Sequence, residues 1–393
     1  MLETETIHQS LVKGRTILLQ KNQQQAFDPS NYRPITCLSN IWKAFSACLS
    51  TNIYKHLQIN NSLPVEQKGC IKKSLGTIDQ LLIDKTITKH AKQKKLNLHT
   101  VWIDFKKAYD SVSHEWIFKC LKMFKISTNI INTLSNAFPL FETSITNKNI
   151  NIGDVQINRG IFQGDSLSPL LFIMSLAPLS VVLNKENRGF KFTDPTENLK
   201  LHISHLLFVD DIKIYSSTQK NLNNLVRITE TFGKTIGLQF GLQKCATAVQ
   251  KKGKSSIAHK IQLEEGVINK LENSYKYLGT FQTIEADLIN TKSHLRNNYL
   301  ARTKSICQSF LYSKNLINAI NTLAVPVLTY AAVVMDWTQE ELLEIDCQTR
   351  KILKENKVMH KNSCTERLYA KRKEGGRGLI NIKCTIEQLK NST

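Results

Sequence analysis

The stretch Leu206 to Tyr215 reads LLFVDDIKIY, two adjacent carboxylates between two apolar, β-prone segments, and it restricts the fold more than any other feature of the chain. The alternation Ile212, Lys213, Ile214, Tyr215 fits a strand leaving a tight two-residue turn, which predicts a hairpin with Asp210 and Asp211 at its tip. Neighbouring aspartates repel when both are ionised, so such a pair is either hydrated in an open turn or screened by cations. A second β-prone run, VWIDF from Val101 to Phe105, carries Asp104 at its end. A helical pattern follows from Ser113, a candidate N-cap with Glu115 in the first turn. If the chain brings Asp104 to Asp210 and Asp211, the three form a donor set for two Mg²⁺ ions of the kind that clamp the oxygens of a phosphoryl transfer. Local spacing leaves open whether residues 104 and 210 meet.

Charge narrows the partner. In 393 residues, 53 Lys+Arg stand against 32 Asp+Glu, a formal net charge of +21 that disfavours a neutral metabolic enzyme and points to a polyanion. Seven lysines between Lys85 and Lys107 accompany a single acid, Asp104, and Lys371 to Lys373 form a second basic cluster. Such runs are ordinarily hydrated faces; the overall excess shifts the reading toward phosphate contacts. The N-terminus MLETETIHQS lacks a secretion pattern, and the longest apolar run, SPLLFIMSLAPLSVVL, falls short of the ~20 residues of a membrane span. Secretion and a membrane partner are therefore not expected, and nucleic acid is the favoured polyanion. Nine scattered cysteines without a C-x-x-C pair read as buried small hydrophobes of an intracellular protein rather than a disulfide framework. No G-x-S-x-G nucleophile setting or Gly-rich phosphate loop is present.

With 41% hydrophobic residues the chain can bury sizeable cores, and its length suggests two or three subdomains. The stripe Ile41, Phe45, Cys48, Leu49, Ile53, Leu57 has helical spacing, and Thr77 to about Lys94 reads as a second helix. Beyond Gly279 strand signals fade into helices broken at Pro326 and at Glu374 to Gly378, which predicts a boundary near 282, separating residues 1–281 from 282–393.

The order of these segments resembles the reverse transcriptases of non-LTR, LINE-type retrotransposons, in particular the site-specific clade. GRTILLQK and DPSNYRPITCLSNIWKAFSACL are similar to that family's fingers motifs, and LPVEQKGCIKKSLGTIDQLLI to the segment that follows them. VWIDFKKAYDSV resembles the palm strand with the first catalytic aspartate, RGIFQGDSLSPLLF the template and primer loop, and LLFVDDIKIY the active-site hairpin. GLQFGLQKCA and YKYLG resemble the last palm and primer-grip motifs, and AINTLAVPVLTY with RLYAKRKEGGRGL the helical thumb. The likeness runs from about Gly14 to Ile382, and seven motifs in order are far more specific than any one.

The resemblance implies an α+β right-hand polymerase with helical fingers, an antiparallel palm sheet and a helical thumb. Asp104, Asp210 and Asp211 would be its catalytic and metal-binding carboxylates, with Mg²⁺, or alternatively Mn²⁺, as the cofactor. Tyr109 falls where the family places the aromatic that crowds the sugar 2′ position; taken alone it would be an ordinary helix aromatic. Gln163 and Gly164 open the Q-G-D-S-L-S-P loop, where an amide can bond the nucleotide and a glycine admits close backbone approach; the rival is a turn before the helix at Pro169. Arg33 and Lys43 are the fingers candidates for the triphosphate, and Lys244 matches the lysine that protonates pyrophosphate. The family usually has asparagine at the position of Gly241, a departure expected to loosen that loop. The implied reaction is RNA-templated addition of dNTPs to a primer 3′-OH, with RNA template, DNA primer or target and dNTPs as partners and nuclear residence. The sequence shows neither a zinc segment nor an endonuclease motif, as a polymerase core, a truncated copy or a domesticated derivative would. The alternatives are an inactive nucleic-acid-binding remnant and a maturase-like splicing cofactor.

Overall fold

In the computed structural model, residues 1–21, 28–147, 150–194 and 199–391 are described. The chain forms two compact units, one of residues 1–80 and 90–271, the other of 81–89 and 272–393. The division thus falls ten residues before the 281/282 boundary, because the ribbon of Tyr275–Tyr277 and Thr280–Gln282 folds with the C-terminal helices.

The first unit is built on a sheet whose strand order is Ile261–Gln262, Val267–Lys270, Ala246–Lys251, Leu98–Ile103, Asp211–Ser216, His205–Phe208, with Lys254–Ser256 folded back on Ala246–Lys251. All pairings are antiparallel except that between Ala246–Lys251 and Val267–Lys270. Leu98–Ile103 is buried at every position, as a central strand covered on both faces must be. Beneath the sheet, Ile103, Ile212 and Ile214 join a core with the helices His114–Met123, Ser168–Lys185 and Gln219–Ile236. A second sheet, ordered Tyr32–Cys37, Lys13–Gln20, Glu142–Asn147, Ile150–Gln156, carries the N-terminal segments, and the Lys13–Gln20 and Glu142–Asn147 strands run parallel.

The Ile41 stripe becomes the helix Asn40–Ile59, capped by the Ser39 side chain accepting from the Trp42 amide, and Thr77–Gln93 forms the second expected helix. Ser113 occupies the expected N-cap position, though its side chain makes no cap bond. The apolar run SPLLFIMSLAPLSVVL forms Ser168–Lys185, 18 residues and apolar enough to pass for a membrane span; two-thirds of it is buried within the protein, as befits a core helix. Only Cys120, Cys245 and Cys307 are buried, and the other six cysteines are exposed, which corrects the sequence reading. Cys48, Cys347 and Cys384 sit on helices whose buried positions are taken by larger hydrophobes such as Leu49, Ile345 and Ile386.

The second unit is helical apart from its ribbon: Leu288–Cys307, Ser313–Ala319, Val325–Thr329, Gln339–Glu355, Glu366–Tyr369 and Ile382–Asn391. Strand structure extends to Gln282, past the Gly279 limit read from the sequence. At Pro326 the helical run does not end: the π-helical segment Ile320–Ala324 leads directly into Val325–Thr329, so the expected break appears as a widened turn just before the proline. The expected break at Glu374 to Gly378 is present, with Gly375 at φ 78°. Thr338 and Glu341 form a reciprocal capping box on Gln339–Glu355.

Candidate active site

Strand pairing settles the distance that local spacing left open. Leu98–Ile103 and Asp211–Ser216 pair with Ile103 opposite Ile212, so Asp104, one residue past the last pair, comes near enough to Asp210 and Asp211 for its charge to act on both. The hairpin tip differs from expectation by one residue. Phe208 pairs with Asp211, so the two-residue turn is Val209-Asp210, and Asp211 opens the second strand. Val209 adopts φ 56°, an outlying conformation for a β-branched residue.

The carboxylates form an electrically strained group. Burial, the charge of Asp210 and then that of Asp104 push the Asp211 carboxyl up to about 7; only Lys244 opposes them. Asp210 is raised for the same leading reason, burial, while Arg33 and Lys244 pull it down. Lys244 Nζ lies 3.3 Å from Asp104 Oδ2. Around them stands a cationic group: burial and the neighbouring charges of Lys244, Arg33 and Lys107 lower the Lys21 ammonium, and Asp104 alone raises it. Of the residues singled out in the sequence, Arg33 and Lys244 thus act on the carboxylates. Lys43 does not figure among those charges and occupies the first turn of Asn40–Ile59. Lys21 and Lys107 were missed as individuals, although each lies in or beside a quoted motif, because many lysines share such a setting and only tertiary placement separates them.

Tyr109 stacks on Phe172 with ring centroids 4.8 Å apart and planes 7° apart; burial, then the Cys70 and Asp210 charges, raise its hydroxyl. Gln163 Nε2 donates to Asp110 Oδ1 at 3.2 Å, and the Gln163 backbone carbonyl accepts from the Thr36 amide at 2.9 Å. Gly164 has φ 133°, and a Cβ there would meet the Thr36 carbonyl oxygen at 2.4 Å. Its close backbone approach is therefore to the chain's own Tyr32–Cys37 strand. Asp165, also missed, is buried and accepts from the Ser46 hydroxyl at 2.6 Å, tying the loop to the Asn40–Ile59 helix. Gly241 corrects an expectation. Its amide donates to the Asp104 carbonyl at 2.7 Å, and a Cβ would fall 2.9 Å from Asp104 Oδ2, so the residue is wedged against the carboxylate rather than loosening its loop.

The donor set suits a hard divalent cation: oxygen ligands only, two of them buried and short of compensating charge. Among the described residues no three acid, histidine or cysteine side chains already enclose one point as a metal cage does. Mg²⁺ sites in phosphoryl transfer rarely form such cages, since one or two carboxylates share the ion with water and substrate phosphates.

A largely antiparallel sheet with paired aspartates at a hairpin and a third just past the end of the adjacent strand is the arrangement that the resemblance implies for a polymerase palm, and the family comparison agrees. Residues 19–281 match the reverse transcriptase (RNA-dependent DNA polymerase) family, and the chain belongs to it. It is similar to the Pol polyprotein of the type-1 retrotransposable element R2 of Popillia japonica, 27% identical over 79% of this chain and 51% of that protein. A second Popillia japonica R2 polyprotein is 25% identical over 95% of this chain and 52% of its own length, and the Drosophila melanogaster R2DM polyprotein 26% identical over 61% and 21%. The chain thus spans about half the length of the first of these relatives. Among solved structures, apo telomerase from Candida tropicalis has a TM-score of 0.49 at 11% identity, covering 89% of this chain and 62% of that chain, a likeness too distant to bear on function.

Proposed function

We propose that the chain is an RNA-directed DNA polymerase that adds dNTPs to a primer 3′-OH, with Asp104, Asp210 and Asp211 as its metal-binding carboxylates. The observation that carries this reading is the pairing of Ile103 with Ile212, which sets the three aspartates side by side at one end of the sheet. Divalent ions bound there supply Lewis-acid stabilisation of the attacking and leaving oxygens. The chain's own residues do the rest. Lys21, Arg33, Lys107 and Lys244 hold the triphosphate and neutralise the charge that grows on pyrophosphate. Tyr109, fixed against Phe172, fills the space beside the sugar 2′ position. Gln163, tied to Asp110, positions the loop facing the nucleotide. Base pairing selects the incoming nucleotide, and the protein contributes positioning and charge, the usual terms in phosphoryl transfer.

Primer extension on an RNA template tests this. The expected product requires dNTPs and Mg²⁺ and disappears in Asp210→Asn. A protein that shifts RNA on a gel yet extends nothing is a binding remnant, and one that promotes splicing without extension is maturase-like; either result overturns the proposal.

A further inference from the structure

The strained turn that carries Asp210 is held by a segment more than a hundred residues away in sequence. Glu66 to Lys68 runs beside His205–Phe208 in a parallel bridge: the Leu207 amide donates to the Glu66 carbonyl at 3.0 Å, and the Lys68 amide to the Leu207 carbonyl at 3.0 Å. From this segment Gln67, 2% exposed, reaches under the turn. Its Oε1 accepts from the Val209 amide at 2.9 Å and from the Gly69 amide at 2.8 Å, while Nε2 lies 3.4 Å from the Val209 carbonyl oxygen. Two N–H groups converge on one atom, so that atom must be the oxygen, and the amide orientation is fixed by chemistry. The side chain therefore engages both polar groups of the residue at φ 56°, as a paired strand would.

The fit is close on the other side as well. A Cβ on Gly69 would come within 2.6 Å of both the Val209 amide nitrogen and Val209 Cγ2, so only glycine lets the segment approach this near. Behind Gln67, Glu66 accepts from the Ser180 hydroxyl at 3.1 Å and from Asn184 Nδ2 at 2.7 Å, which ties the segment to the core helix Ser168–Lys185. Backbone held in a sparsely populated conformation persists only where its surroundings over-determine it.

We propose that Gln67 is a positioning residue for the polymerase centre: by holding Val209 in its left-handed conformation it fixes the direction in which Asp210 presents its carboxylate. Gly69 supplies the clearance for that hold. This rests on the polymerase reading above, and the test separates the two. In the full chain, Gln67→Met keeps length and bulk while removing both polar atoms. Amide hydrogen exchange reads the hold directly: the Val209 and Gly69 amides should exchange faster, with Leu98–Ile103 unchanged as an internal reference. Single-turnover extension should slow by about tenfold or more, since a misplacement of ~1 Å can cost two orders of magnitude, while KM for dNTP holds. Adding Val209→Gly should restore the rate, because glycine adopts this backbone unaided; a loss through general destabilisation would not be repaired at the turn. Unchanged exchange at the two amides, or failure of Val209→Gly to restore extension, overturns the proposal. If the unaltered protein extends no primer, the polymerase reading fails and the exchange result alone decides whether Gln67 holds the turn. Should Gln67→Met not fold, Gln67→Glu keeps the oxygen and must leave both amides protected; faster exchange there is equally fatal.

Discussion

The carboxyl of Asp211, pushed up to about 7 by burial and by two neighbouring carboxylates, makes the metal-free protein sensitive to pH. A carboxyl raised in the folded state binds its proton more tightly there than in the unfolded chain, whose value is near 3.8. Stability contributed by that proton is present at low pH and is lost as pH rises from about 4 through about 7. Relative to Asp211→Asn, the melting temperature of the unaltered protein measured in EDTA should therefore fall more, or rise less, across this window; the slope common to both combines Asp210, Asp110 and Asp165, raised by burial and acting in the same sense, with His99, His114 and His205, lowered by burial and acting in the opposite sense. Identical slopes for the two proteins between pH 5 and 7 would refute this account. What could be read at this scale followed chain locality. The three aspartates and Lys244 stand in short runs whose strand pattern or motif marks them. Gln67 acts across a separation of 142 residues, and Lys21 gains its meaning only beside Arg33, Lys107 and Lys244, so although both fall within quoted motif segments nothing local singles out either side chain.

Elements were legible where periodicity is clear. Ile212 and Ile214 join the core on one face of their strand while Lys213 and Tyr215, also fully buried, take the other, with Lys213 over the Trp102 ring, and a slip of one residue would exchange the two sets. That constraint explains why the alternation located the strand correctly, whereas the turn, which depends on the pairing of Phe208 with Asp211, was misplaced by one. The Ser168–Lys185 helix shows the limit of composition alone: its apolar run reads as too short for a membrane span, the helix it forms is long and apolar enough to pass for one, and its burial marks it as core. Its burial gives a direct measure: Leu176 is fully buried, and Leu176→Ala should cost about 2–5 kcal/mol in urea unfolding, as a cavity among well-packed side chains does. A cost below ~1 kcal/mol would mean that this helix is not packed as described.

At the scale of the whole molecule, charge and motif order pointed to the family, and the division into two units was visible only in part. The missing piece is the middle of the Thr77–Gln93 helix: residues 81–89 belong to the second unit although the chain on either side belongs to the first. Within that second unit Asp84 accepts from Gln282 Nε2 at 2.8 Å, and Lys85 reaches the Val334 carbonyl at 2.8 Å. A polypeptide stopped at residue 271 keeps this helix but loses Gln282 and Val334, which Asp84 and Lys85 bond. Such a fragment should come out of expression as aggregate and, once solubilised, be nicked by protease between residues 77 and 93 well before the intact chain is. The two halves are thus inseparable by scissors: no single cut in the backbone yields both as self-sufficient products.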